Sequence, residues 1–178
     1  LFLRGRGSYI RQQVGYKLRA LLLYRRELPD GARFLLFGDD SEADAEVFAL
    51  FGEVCAGLRD EELERALPAK VARWERKEIR ALTEDLPRRD NPVDGIFIHL
   101  AKGNDLEALR ARGAYPTHSY LQTAMILAHQ GYIAPEAVTA VAKMLRRRLI
   151  TEAQIGSWAE DALDRFELPE ALAARARE

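Results

Sequence analysis

The stretch that decides the fold reads Arg33-Phe34-Leu35-Leu36-Phe37-Gly38-Asp39-Asp40-Ser41-Glu42-Ala43-Asp44. Its continuous apolar run, residues 34–37, has the length of a strand and predicts a central strand covered on both faces. The run ends at a glycine, and carboxylates follow directly. A strand of this kind delivers acids to the carboxyl edge of a parallel sheet, where a divalent cation and a phosphate can be held.

The elements before and after this stretch alternate between strand and helix. Residues 1–3 predict a short buried strand, and residues 11–27 predict a helix that ends at the turn signal Pro29-Asp30-Gly31. A second helix is predicted at about 42–56, with Ser41 as its N-cap and Asp44 at N3 in a variant of the capping box. This order of elements predicts an α/β fold with a parallel, doubly wound (Rossmann-like) sheet of which only part is present.

The rest of the chain is predicted to be mainly helical. Residues 60–86 form a charged helical insertion interrupted at Pro68, with Val71, Trp74 and Ile79 as its apolar anchors. Residues 96–98 are the third strand candidate, and no strand signal follows Gly103. Three amphipathic helices are then predicted, at residues 117–130, 135–148 and 151–166. We therefore expect an α/β domain at residues 1–102 and a helical subdomain at residues 103–178.

Composition sets limits on the class of protein. The 178 residues are 48% hydrophobic and 31% charged with a net charge of -1, so overall charge indicates no particular partner. The single cysteine, Cys55, excludes an internal disulfide and fits a reducing compartment. No apolar run approaches the ~20 residues of a membrane span, and we expect a cytoplasmic protein. Arg146, Arg147 and Arg148 complement the dipole at a helix end, and Met144 is expected to pack.

Three residues are candidates for chemistry at the end of the strand. Asp39 comes first after Gly38 and is placed to reach a hard cation, with Asp44 as a second metal ligand five residues later. Lys17, on the helix that feeds the strand, could neutralise a phosphoryl group or an aspartyl nucleophile, which makes it the catalytic candidate. Each also has a plain structural explanation: a turn for Asp39, a helix cap for Asp44, a solvated helix lysine for Lys17. Asp40 is interpreted as a solvated neighbour or a supporting acid.

This pattern resembles motifs III and IV of the haloacid dehalogenase-like hydrolases, and is most similar to proteins like the phosphatidate phosphatase catalytic domain. The resemblance covers roughly residues 1–100. Its matching segments are Leu1–Arg4, Lys17, Gly38–Asp44 with Phe48 at an aromatic position, and Ile96–Ile98.

The resemblance implies a Mg²⁺-dependent phosphohydrolase that forms an aspartyl-phosphate intermediate on a phosphorylated small molecule or a lipid phosphate, with no nucleic-acid partner. Such enzymes carry their nucleophile in a DxD motif on the first strand, and no DxD follows an apolar strand here. The chain begins without a methionine, and its strands are few for a sheet of this type. We therefore expect it to be the back part of a longer protein, inactive by itself.

Two other interpretations compete with the phosphatase. A receiver-like signalling domain also uses paired acids after a strand, but it needs a phospho-accepting aspartate at the end of a later strand. The segment after residues 96–98 reads His99-Leu100-Ala101-Lys102, which disfavours that class. The alternative that stays open is a non-catalytic helical interaction module with a degenerate α/β domain.

Overall fold

A computed structural model describes residues 6–87, 89–103 and 105–178, with side chains from residue 13 onward. The chain divides into two compact units, the first ending at Pro116 and the second comprising Thr117–Glu178. None of the helices in the described ranges is long and apolar enough to cross a membrane. The strand predicted at residues 1–3 lies outside the described residues.

The first unit is a mixed α/β structure. Its elements are α1 (Arg6–Glu27), β1 (Phe34–Asp39), α2 (Asp44–Ala56), α3 (Asp60–Ala66), α4 (Arg73–Asp85), β2 (Val93–His99), α5 (Leu106–Arg110) and β3 (Ala114–Thr117). The sheet has the order β1-β2-β3, and β1 and β2 are parallel. The α/β class is confirmed, as are the helix predicted at residues 11–27, which begins earlier, and the strands after Gly31 and before Leu100.

The apolar run at residues 34–37 forms a strand as predicted, but its predicted central place is not tested, because the strand predicted at residues 1–3 lies outside the described residues. Within the described residues β1 lies at one end of the sheet, and β2 is the middle strand. Phe34 and Leu36 are buried, but Phe37 is 56% exposed. Phe37 stacks on Phe97, which in turn stacks on Tyr115, with ring centroids 5.1 and 5.3 Å apart. On the face of the sheet that carries Phe37, aromatic side chains of neighbouring strands stack on one another. Apolar residues are therefore accommodated on both faces of β1, which explains why the run does not alternate with polar residues.

The sequence predicted no strand after Gly103, and β3 shows that this prediction was wrong. It spans four residues, Ala-Tyr-Pro-Thr, and is followed by helices. A strand this short shows almost no alternation, and Pro116 argues against a strand because proline cannot donate to a ladder. An outer strand in the order β1-β2-β3 tolerates the missing donor.

Helix α2 packs on β1 and β2, and α1 packs on α2 and α4, so that these helices and the sheet share one core in the first unit. One stripe of α1 is fully buried, at Val14, Leu18 and Leu22. Helix α4 packs closely on α1 at Gly15, where an added Cβ would stand 2.6 Å from Oε2 of Glu75. Ile79 is a buried anchor as predicted, but Trp74 is 59% exposed and does not anchor α4.

The second unit is helical, with four helices where three were predicted. They are α6 (Tyr120–His129), α7 (Glu136–Arg147), α8 (Glu152–Phe166) and α9 (Glu170–Arg177). The three predicted helices are confirmed. Helix α9 was missed because its eight alanine-rich residues show little amphipathic contrast. Alanines serve here as core residues: Ala173 and Ala176 are fully buried.

Candidate functional site

The three predicted site residues meet at the carboxyl end of β1. Lys17 reaches there from α1 and places its Nζ 2.5 Å from Asp44 Oδ1. The other carboxylate oxygen of Asp44, Oδ2, accepts a hydrogen bond of 3.2 Å from the backbone N–H of Asp39. The structure therefore brings together Lys17, Asp39 and Asp44, although α1 is separated from the acids by a turn and a strand.

Gly38 permits this approach. The Asp44 side chain folds back over the end of β1, and a Cβ at position 38 would stand 2.5 Å from the Cβ of Asp44. Real Cβ atoms do not come so close. Position 38 therefore requires glycine, because any side chain there would collide with Asp44. The spacing of residues in the sequence does not reveal this contact.

The start of α2 corrects the predicted capping box. The helix begins at Asp44, and its N-cap is Ala43, which provides no side-chain hydrogen bond. Ser41 lies in the preceding turn and does not cap α2. The Asp44 side chain instead folds back over the end of β1. There its carboxylate accepts hydrogen bonds from the Lys17 ammonium and from the Asp39 N–H. Its structural explanation as a capping residue at N3 is therefore wrong.

Lys17 has a second carboxylate partner that the sequence did not indicate, Glu42. Burial by itself disfavours the charged ammonium, but the hydrogen bonds and charges of Asp44 and Glu42 outweigh it and raise the pKa of Lys17. The same contact with Lys17 lowers the pKa of Glu42. Lys17 is therefore a firmly charged cation rather than a solvated helix lysine.

Asp39 is held by the turn that follows it. Hydrogen bonds from Ser41, by its side chain and then by its backbone N–H, lower the pKa of the Asp39 carboxyl group. The N–H of Ser41 lies 2.7 Å from Asp39 Oδ1. Asp39 is only partly buried, so a charged carboxylate is presented at the edge of the sheet. Its register partner on β2 is His99, which brings an imidazole to the same edge.

Asp40 is buried rather than solvated, so of its two interpretations only that of a supporting acid is compatible with the structure. It is 5% exposed, and its Oδ1 accepts hydrogen bonds from the backbone N–H groups of Ala101 at 2.7 Å and Lys102 at 2.8 Å. This carboxylate ties the loop after β2 to the end of β1. The Lys102 ammonium then donates to the carbonyl of Ser41 at 3.1 Å, which adds a second lysine to this edge. No periodicity in the sequence connects these residues.

A magnesium ion is the metal that the resemblance implies, and Asp39 fits it better than Asp44. Both carboxylate oxygens of Asp44 are already engaged, by Lys17 and by the Asp39 N–H. Within the described part of the chain, the Asp39 carboxylate accepts hydrogen bonds from the adjacent turn, and it remains partly exposed. Mg²⁺ commonly takes one or two carboxylates and keeps several waters, so a single strand-end aspartate suits it. The described residues contain no cluster of three His, Cys, Asp or Glu side chains placed to hold a metal.

Comparison with known proteins adds no assignment: the chain matches no protein-family model, no curated protein and no solved structure.

Proposed function

We propose that this chain belongs to a Mg²⁺-dependent phosphohydrolase of the haloacid dehalogenase type. It would supply the residues that bind the metal ion and the charged phosphoryl group, but not the nucleophile. The observation that supports the proposal is the contact between Lys17 and Asp44 at the carboxyl end of β1, next to Asp39. Three residues from three elements, α1, β1 and α2, are thus arranged where an open α/β sheet binds its ligands. This arrangement also fits the resemblance in motif order that the sequence carries.

Each residue has a distinct role in the proposal. Lys17 is a fixed positive charge that attracts and orients a phosphoryl group. Asp44 positions that lysine and, through the Asp39 N–H, the end of β1. Asp39 would hold Mg²⁺, which when bound neutralises phosphate charge and acts as a Lewis acid on a phosphoryl oxygen. The lowered pKa of Asp39 keeps the carboxylate charged for this purpose.

The proposal requires an attacking aspartate from outside these 178 residues, since no DxD follows an apolar strand within them. The substrate class is a phosphorylated small molecule or a lipid phosphate, and the protein acts in the cytoplasm. The present chain by itself is then inactive. The complete coding sequence provides the first test: a DxD motif at the end of an apolar strand is expected outside these 178 residues, and its absence would contradict the enzyme assignment.

Asp39→Asn in the full-length protein provides the kinetic test. We expect it to reduce Mg²⁺-dependent hydrolysis of an aryl phosphate by roughly 10²-fold or more, because it removes the carboxylate proposed to hold the cation. Asp164→Asn is the matched control, since this aspartate is exposed on α8 in the second unit and its substitution should leave turnover unchanged. Undiminished turnover in Asp39→Asn would refute the role given to Asp39.

A non-catalytic interaction module is the second candidate. It is favoured by the second unit, four helices with a core of their own that carries no residue of the proposed site. That interpretation requires that full-length protein bind its partner equally well with Asp39→Asn and show no Mg²⁺-dependent hydrolysis.

A further inference from the structure

Leu149 combines a strained backbone with an exposed apolar side chain, whereas Glu167, which also has a positive φ and is exposed in the second unit, is polar. It follows the C-terminal end of α7, where its φ is 64° and its relative exposure is 91%. Helices commonly end with a residue in this left-handed conformation, and that residue is usually glycine. In an L residue with a branched side chain the conformation is disfavoured by contact between Cβ and the backbone.

The fold does not account for a leucine at this position. The cap consists of backbone hydrogen bonds, from Leu149 N–H to the Arg146 carbonyl at 2.9 Å and from Ile150 N–H to the Leu145 carbonyl at 3.2 Å. Glycine would make the same two bonds without strain. The leucine side chain is almost fully exposed, so burial does not offset the strain, and contacts within the folded chain do not explain a leucine here.

The surface next to Leu149 is basic and partly apolar. Lys143, Met144 and Arg147 lie on the outer face of α7, at spacings that place them side by side, and Arg148 follows at the helix end. Met144 is 42% exposed and does not pack as predicted. We define the basic tip as Lys143, Met144, Arg147, Arg148 and Leu149.

The cations of the basic tip are available to a partner. Among the described residues Lys143, Arg147 and Arg148 form no ion pair with a carboxylate. The acid that begins the next helix, Glu152, is already bound by Arg146. Arg146 and Arg147 lie in the last turn of α7 and Arg148 follows it, as expected for cations that complement the helix dipole, and the side chains of Arg147 and Arg148 are exposed.

We propose that the basic tip docks on an anionic lipid bilayer. The charges of Lys143, Arg147 and Arg148 complement acidic headgroups, and the aliphatic side chains of Met144 and Leu149 reach the boundary between headgroups and acyl chains. A nucleic-acid partner is less well matched, because single-stranded bases stack on aromatic side chains and the basic tip contains none. The contact is peripheral, and it is independent of the proposed phosphatase site.

Vesicle co-sedimentation of the purified chain tests the proposal. We expect binding to phosphatidylcholine vesicles that contain about a third phosphatidylserine, weakening as salt is added, and none to phosphatidylcholine alone. Arg147→Glu reverses one of the cations and should weaken binding by at least about fivefold. Lys70→Glu, an exposed substitution in the first unit, is the charge-matched control and should have a much smaller effect.

Leu149→Gly should change vesicle binding and stability in opposite directions, so a loss of binding cannot be explained by unfolding. It should weaken vesicle binding by about tenfold through loss of the apolar side chain, yet raise the melting temperature of the second unit by about 4 °C through relief of strain. Equal binding by wild type and Leu149→Gly would overturn the proposal, as would equal binding to vesicles with and without phosphatidylserine. Stronger binding to an acidic protein or to DNA than to the anionic vesicles would overturn it too. Asp39→Asn should bind vesicles like wild type, whatever its effect on hydrolysis.

Discussion

The Asp44 carboxylate joins three parts of the chain at the end of β1. One oxygen binds the ammonium of Lys17 on α1, and the other binds the N–H of Asp39. The side chain rests on Gly38, where no Cβ stands in its way. The geometry of the proposed site therefore depends on Gly38, which has no side chain to take part in the chemistry.

Gly38→Ala tests this dependence. The new Cβ would collide with Asp44, and either Asp44 or the end of β1 must move. We expect the free energy of unfolding to fall by about 1–3 kcal/mol in urea titrations, as for other substitutions that overpack a site. Gly31→Ala is the control: an added Cβ there meets nothing within 4 Å, so stability should be unchanged or slightly higher.

The ion pairs of Lys17 predict a defined pH dependence of stability. The pKa of Lys17 is raised, so its contribution is complete below its ordinary value and is lost as pH rises through the folded-state value. The pKa of Glu42 is lowered, so its contribution is complete above its ordinary value and is lost as pH falls through the folded-state value. The two contributions coexist between about pH 5 and pH 10.

Lys17→Met should therefore lower the free energy of unfolding most within this window, by about 0.5–1 kcal/mol since solvent screens the exposed Glu42. The difference from wild type should shrink at both ends of the range, measured by urea titration at a series of pH values. Lys70→Met removes an exposed lysine that has no partner among the described residues, and should show no such profile. A pH-independent difference for Lys17→Met would contradict the assigned ion pairs.

The residues of the site differ in how far sequence could identify them. Lys17, Asp39 and Asp44 were found from their positions relative to one apolar strand, and the structure brings them together. Glu42 was missed because acids in a turn are usually solvated. Asp40 was interpreted as a solvated neighbour or a supporting acid, but its contact with Lys102 was missed because the two residues are 62 positions apart, and no local pattern predicts such a pairing.

At the scale of elements, helices were more predictable than strands. The helical spacing of Val14, Leu18, Leu21 and Leu22 predicts one buried face. All but Leu21 are fully buried, and Leu21 is half-buried. A strand of four residues offers too few positions for a comparable signal, which explains why β3 was not predicted. The run at residues 34–37 identified a strand correctly. It could not predict how the second face of β1 is covered, because that depends on stacking between Phe37 and Phe97 of the neighbouring strand.

Helix α8 allows a test of capping, since the side chain of its N-cap residue, Thr151, accepts a hydrogen bond of 3.2 Å from the Gln154 N–H. Thr151→Ala should destabilise the second unit by about 1 kcal/mol through loss of this bond, measured by thermal or urea unfolding. Ser157→Ala, exposed in the middle of the same helix, should be neutral or slightly stabilising because alanine favours helix more than serine. Equal effects of the two substitutions would show that Thr151 does not act as a cap.

At the scale of the whole molecule, each unit buries its own set of apolar side chains. The core of the first unit includes the stripe of α1, the buried face of the sheet and residues of α2 to α4. The second unit buries Leu121, Met125, Ile126, Val138 and Ile155 almost completely. Within it, Gln122 is fully buried and bound to the Trp158 carbonyl at 3.0 Å, so its polar group is satisfied by the same unit.

These separate cores predict that residues 117–178 fold without the first unit. A domain of roughly 60 residues buries only about 60% of the surface exposed by its unfolded chain, so we expect modest stability but a cooperative transition. The isolated fragment should give a helical far-ultraviolet circular dichroism spectrum and a sigmoidal thermal melt. Met125→Ala, which opens a cavity at a fully buried position, should cost about 2–5 kcal/mol and unfold the fragment or nearly so. Met144→Ala, at a partly exposed position on α7, should leave the melt almost unchanged. A fragment that is unfolded, or that melts without cooperativity, would mean that the four helices depend on residues before Thr117.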